Sequence, residues 1–232
     1  MIDIILHRRI LLQILKDIYT NTNIAAYLGF KGGTACLLFY GLDRFSVDLD
    51  FDLLDTKQKE TVFNEIEKIL LKYGVLKEKI QKRYSLFFLL DYFGRTEFSP
   101  NIKIEINLRD FGSKYEILSL LGISMKVMVK EDLFANKLVA MYERINKATR
   151  DIYDVYFFLN KRWNVNKNIV EQRTNLKYED FINKTVLLLK KVNKNSLLFG
   201  MGELINDKQK NWVKNNLISD TIFLLNLQLP RL

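Results

Sequence analysis

The sequence predicts an α+β fold, with a sheet-bearing first part to about residue 128 and a helical part after it. Three observations predict it. Segments whose apolar residues alternate with polar ones, the period of a strand, fall in the first part, as at Val47–Phe51 and Ile102–Leu108. After Lys130 the apolar spacing becomes that of helices. Only two prolines occur, Pro100 and Pro230, so no Pro-rich linker is expected and long helices can run unbroken. With 232 residues the chain is long enough for one substantial core or two modest ones, and domains are expected over 1–128 and 129–232.

In chain order, Ile2–Thr20 reads as an amphipathic helix with Ile5, Leu12 and Leu15 on its apolar stripe. Ala25–Phe30 reads as a short buried strand running into Lys31-Gly32-Gly33-Thr34, where Thr34 is expected to cap a helix that Gly41 ends. Val47–Phe51 is the next strand. Lys57–Tyr73 has helical spacing at Phe63, Ile66, Ile69 and Leu70, and Gly74 stops it. Strands are expected over Leu76–Lys82 and Tyr84–Tyr92, with a turn near Gly94, then over Ile102–Leu108 and Ser124–Val129. Helices are expected over Lys130–Asn146, Ala148–Arg162, Tyr178–Lys191 and Asp207–Leu227.

Composition narrows the chemistry. Cys36 is the only cysteine and His7 the only histidine, which excludes an internal disulfide, a Cys/His zinc site and any catalytic pair needing a histidine base. Carboxylates, lysines, arginines and hydroxyls must then carry any reaction. Thirty-six Lys and Arg against twenty-seven Asp and Glu give a formal charge of +9, a bias toward phosphate-bearing partners such as nucleotides or RNA. The most apolar tract, Leu86–Leu90, is too short for a membrane span, and Met1–Asp17 lacks the continuous apolar run of a signal peptide. The expected location is the cytoplasm, away from any membrane.

Asp48-Leu49-Asp50-Phe51 is the first chemical candidate. On a strand, Asp48 and Asp50 share one face while Leu49 and Phe51 turn to the core. Their Cα atoms would stand roughly 6.5–7 Å apart, close enough for one hard cation to draw in both carboxylates. Asp52 continues that face, and three like charges on one strand repel unless a cation offsets them. Just upstream, Gly32-Gly33-Thr34 lets the backbone approach a ligand, with helix N–H groups facing an anion such as a triphosphate. Arg44 and Ser46, between the two segments, are candidates for phosphate oxygens. Glu105, alternating with Ile104 and Ile106, is a third carboxylate able to bind a metal or act as a base. Further on, Lys137, Met141 and Arg144 share one helix face, and Asp151 and Asp154 share a face of the next helix, just after Arg150.

Gly32-Gly33-Thr34, Asp48-Leu49-Asp50 and Glu105 within Ile-Glu-Ile together resemble the polymerase β-like nucleotidyltransferase superfamily. Lys31-Gly32-Gly33-Thr34-Ala35, Arg44-Phe45-Ser46-Val47-Asp48-Leu49-Asp50-Phe51, Lys137, Arg144 and Arg150-Asp151-Ile152-Tyr153-Asp154 resemble, more narrowly, the AbiEii/MenT family of toxins from bacterial toxin–antitoxin and abortive-infection systems. The resemblance implies a nucleotidyltransferase-like mixed β-sheet flanked by helices, followed by a C-terminal helical bundle. It implies use of an NTP with Mg²⁺ or Mn²⁺, an RNA acceptor with the 3′ end of tRNA foremost, and a cognate antitoxin protein. Carried over by position, Gly32, Gly33 and Thr34 bind phosphate, Asp48 and Asp50 bind metal with Glu105 beside them, and Lys137 and Asp151 complete the set. Asp151 and Asp154 compete for the last acidic position, with Asp151 preferred because it directly follows Arg150. The residues leave two other readings open: transfer to a small molecule or protein, and a nucleotide- or RNA-binding module without turnover.

Overall fold

The computed structural model describes residues 3–93, 101–145 and 147–229, which divide into two compact units. The first takes its residues from Met1–Gly41, Phe45–Asp110 and Lys114–Met128. The second takes them from Leu42–Arg44, Phe111–Ser113 and Val129–Leu232.

The first unit opens with helix α1 (Ile4–Thr20), started by Asp3, whose carboxylate accepts from the N–H groups of Ile5 and Leu6 at 3.0 Å. Its inner side carries His7, Leu11, Ile14, Leu15 and Ile18. Ile5, expected on that stripe, is 83% exposed, because two residues before His7 is roughly 160° around a 3.6-residue helix. A 3₁₀ turn at Ala25–Tyr27 then leads into β1 (Leu28–Lys31), so the strand starts later than its apolar run suggests. There follow α2 (Gly32–Phe39), β2 (Leu49–Leu53), α3 (Lys59–Leu70), β3 (Val75–Gln81), β4 (Ser85–Asp91), β5 (Asn101–Asn107), β6 (Tyr115–Leu120) and β7 (Ile123–Met128).

The seven strands form one mixed sheet in the order β3-β4-β5-β2-β1-β7-β6. β2 and β5 are parallel, as are β1 and β7, and the other pairs are antiparallel. β6 was not expected, since Tyr-Glu-Ile-Leu-Ser-Leu has no clean alternation. It is fixed by the two-residue loop Leu121-Gly122, both at positive φ (51° and 78°), which joins it to β7. The turn expected near Gly94 lies outside the described residues.

One face of the sheet is apolar. Phe30, Leu49, Phe51, Ile104, Ile106 and Val127 are fully buried there, in one core with Ile14, Leu15 and Ile18 of α1 and Ile66 and Leu70 of α3. Each such side chain contributes about 1.5–3 kcal/mol when removed from water. With that face covered, the alternate residues of β2 and β5 must turn the other way.

The second unit contains α4 (Lys130–Glu143), α5 (Thr149–Asn160), α6 (Lys167–Thr174), α7 (Tyr178–Leu189) and α8 (Asp207–Asn226). Phe134, Leu138, Ile152, Val155, Phe158, Phe181 and Leu217 are buried within it. α8 starts with a reciprocal cap, Asn206 and Gln209 each bonding the other's backbone N–H. α6 went unread because Ile169 and Val170 are its only buried residues, too few to show a period.

Candidate active site

The polar face of the first unit is organised by the turn from β1 into α2. Gly32 has φ +78°, and a Cβ built on it would lie 2.3 Å from Asp50 Oδ2. Glycine is thus required there twice, for the backbone conformation and for the approach to Asp50. Thr34 does not cap α2, because the helix already begins at Gly32 and no side chain caps it. Its hydroxyl instead donates to the backbone carbonyl of Asp48 and is hydrogen-bonded to Ser46 Oγ at 3.0 Å. The α2 start is therefore tied to the segment that carries the two aspartates.

Asp48 immediately precedes β2, and Asp50 lies within it. Leu49 and Phe51 are fully buried, as alternation requires. The register sets Lys31 of β1, Asp50 of β2 and Glu105 of β5 in one row across the sheet. Lys103, two residues before Glu105 and so on its face, sends its ammonium among the carboxylates. Lys103 Nζ lies 3.4 Å from Glu105 Oε2, 3.7 Å from Asp48 Oδ2 and 4.0 Å from Asp50 Oδ1. Three expected site residues therefore surround one positive charge, supplied by Lys103, a residue that no sequence motif marks.

Asp52 behaves differently, although it shares the face. Its carboxylate accepts from Lys31 Nζ at 2.6 Å, Asn107 Nδ2 at 2.6 Å and the Tyr115 hydroxyl at 2.5 Å. With donors from β1, β5 and β6, it fastens the sheet rather than joining the other three. Behind Asp48, His7 is fully buried, with Nε2 3.0 Å from the Val47 carbonyl and Nδ1 2.9 Å from the Tyr92 hydroxyl. Nε2–H donates to Val47, so Nδ1 accepts from Tyr92. Burial holds the imidazole below its ordinary pKa, outweighing the opposite pull of the Val47 carbonyl and of Asp48.

The donor set suits a hard divalent cation, since all three groups are carboxylates and a cation already stands among them. Among the described residues, no three His, Cys, Asp or Glu side chains are drawn close enough to hold a metal ion as they stand. The carboxylates are spread around the Lys103 ammonium instead.

The other expected residues gather within the helical unit. Arg44, 4% exposed, meets Asp154 through two bonds, Nε to Oδ1 at 2.6 Å and a terminal nitrogen to Oδ2 at 2.7 Å. Lys137 Nζ reaches Asp151 Oδ1 at 3.1 Å and Asp154 Oδ2 at 3.2 Å. Arg144 approaches Asp151 Oδ2 at 2.8 Å, yet that buried oxygen lacks an aligned hydrogen bond. Burial alone would lower the Lys137 pKa and raise that of Asp154. The facing opposite charges win in both cases, so Lys137 is raised and Asp154 lowered. Among the contacts described, Arg44, Lys137 and Arg144 face Asp151 and Asp154.

The seven-stranded mixed sheet with its Gly-Gly turn and paired aspartates defines a nucleotidyltransferase fold. The profile described as nucleotidyl transferase AbiEii toxin, type IV TA system, matches residues 13–214. The chain belongs to that family and is a nucleotidyltransferase of the toxin class, for which an NTP substrate and a cognate antitoxin are implied. Solved structures share its fold. MenT4, a nucleotidyltransferase toxin of Mycobacterium tuberculosis H37Rv, is 18% identical over 97% of this chain and 84% of its own, with a TM-score of 0.62. JHP933 from Helicobacter pylori is 20% identical over 97% of this chain and 94% of its own, with a TM-score of 0.56. No curated protein matches the chain. Among the described residues, no helix is long and apolar enough to cross a membrane.

Proposed function

We infer that the protein is a Mg²⁺-dependent toxin that moves NMP from an NTP to an RNA acceptor, the 3′ end of tRNA, in the bacterial cytoplasm. The observation that carries this reading is the convergence of Asp48, Asp50 and Glu105 on one cation position, beside a glycine turn that touches Asp50. Asp48, Asp50 and Glu105 would hold the divalent ion, Mg²⁺ or Mn²⁺, which when bound supplies Lewis acidity at the phosphate oxygens.

The chain's own groups do the rest. The uncapped N–H groups of Gly33 and Thr34, with Gly32 giving close access, cradle the triphosphate. Ser46, fixed by Thr34, lies on the same segment as Asp48. The acceptor hydroxyl attacks the α-phosphorus, its proton passes to Glu105, and the bond to the β-phosphate oxygen breaks to release pyrophosphate. Lys137, Arg144, Asp151 and Asp154 are proposed to serve the same reaction, a role supported by the resemblance of their motif.

The test is transfer of label from each α-labelled NTP to total bacterial tRNA in Mg²⁺. Asp48→Ala and Asp50→Ala should abolish transfer while circular dichroism and melting show a folded protein. Full activity in both variants would remove the carboxylates from the mechanism. Transfer to small hydroxyl compounds and not to tRNA would move the acceptor to another class.

A further inference from the structure

We propose that Lys103 is a built-in counter-ion that competes with the divalent cation for Asp48, Asp50 and Glu105, and so sets how tightly that cation binds. The inference rests on the reading of those three carboxylates as its ligands. Three like charges on one sheet face repel one another, and something positive must offset them when no metal is present. Lys103 reaches all three, at 3.4–4.0 Å. These distances are longer than the roughly 2.7–2.9 Å of a charge-assisted hydrogen bond. They contrast with the 2.6 Å of Lys31 on Asp52, one row along the same face. The ammonium bonds Glu105 at 3.4 Å, longer than a charge-assisted bond, while also facing Asp48 and Asp50.

Two further facts make it displaceable. Lysine carries a compact charge on a flexible four-carbon stem, so it can swing away without backbone movement. The Lys103 side chain is 27% exposed, and an outward swing puts its charge in water rather than in the core. Asp52 shows a different arrangement, a carboxylate bonded at 2.5–2.6 Å by donors from three strands, two of them not lysines. The sheet therefore carries one acid bonded by donors from three strands, and three acids that share the Lys103 charge.

The experiment measures Mn²⁺ binding by calorimetry, and by electron paramagnetic resonance of free Mn²⁺, on the native full chain, Lys103→Gln, Lys103→Arg and Asp50→Asn. Lys103→Gln should bind Mn²⁺ about tenfold more tightly, the scale of one largely solvent-screened charge–charge interaction. Lys103→Arg, which keeps the charge, should stay near native. Metal-free Lys103→Gln should melt lower than native, and saturating Mn²⁺ should restore it. If Lys103→Gln binds no more tightly than native while Asp50→Asn loses binding, the counter-ion is overturned and the ligand assignment stands. If neither native protein nor Lys103→Gln binds Mn²⁺ at millimolar concentration, both are overturned.

Discussion

At the scale of single residues, Asp154 is where burial and charge are most tightly balanced. Its side chain is fully buried and faces the Arg44 guanidinium and the Lys137 ammonium together. Truncating one member of such a group strands the others as uncompensated charges, and breaking a buried pair costs roughly 3–5 kcal/mol. Asp154→Ala should lose about that much in urea unfolding, through a lower midpoint at unchanged slope. The pH dependence has a definite sign. Desolvation alone would raise the Asp154 pKa, but Arg44 and Lys137 bring it below the ordinary 3.8, so the folded state binds the proton less readily than the unfolded chain. Its contribution is complete above the unfolded value and is lost as pH falls through the folded one. The difference in melting temperature between native protein and Asp154→Asn should hold from pH 7 to about 5 and shrink as pH falls below about 4. A difference that stays constant down to pH 3 would show that the ion pair is not its source.

At the scale of elements, the β1–α2 turn makes a demand that separates two glycines. Gly32 and Gly41 both have positive φ, +78° and +72°, but only Gly32 has a neighbour where a Cβ would go. That neighbour includes Asp50 Cβ at 2.8 Å as well as its carboxylate, so a rotamer change cannot clear the space. Gly32→Ala and Gly41→Ala should each lose about 1–2 kcal/mol in thermal unfolding from the left-handed backbone, and Gly32→Ala should lose more through its clash with Asp50. Only Gly32→Ala should also lose nucleotidyl transfer, by about a hundredfold, because displacing a reacting group by about 1 Å has that effect. Equal activity in the two variants would detach the turn from the site. The same elements show what was legible in the chain. Alternation announced β2 and β5, and it put Leu49, Phe51, Ile104 and Ile106 inward as found. Which strand lies beside β2 is not local information: Asp50 meets Glu105 across 55 residues through a parallel pairing. Lys103 was unreadable for that reason, since a lysine two residues from a glutamate on a strand looks like surface until the aspartates arrive beside it. Asp52 looked like a third repelling charge because its donors come from β1, β5 and β6, the last of which had no strand signature. Thr34 was misread by a sound local rule, the capping preference, because the glycine turn starts α2 two residues earlier.

At the scale of the whole molecule, the formal charge of +9 bears on which acceptor arrives. Site geometry decides what happens at the α-phosphorus. Long-range charge decides what is gathered to it, and that contribution is screened within a Debye length of about 8 Å at physiological salt. An RNA acceptor places many phosphates against the basic surface and releases counterions on binding, so its affinity falls as a power of salt concentration. Contact with about five phosphates gives roughly a hundredfold loss between 50 and 200 mM salt, on the slope for single strands. An NTP or a small hydroxyl acceptor lacks that multiplicity. At fixed Mg²⁺, the KM for tRNA should therefore climb steeply with added potassium chloride while the KM for the NTP moves only a few-fold. A KM for tRNA as flat as that for the NTP would mean that the basic surface does not engage the acceptor, and the RNA assignment would fall even with catalysis intact. A steep tRNA response that survives Asp48→Ala in a binding assay, where transfer is lost, would place acceptor capture on the charged surface and leave the chemistry to the carboxylates.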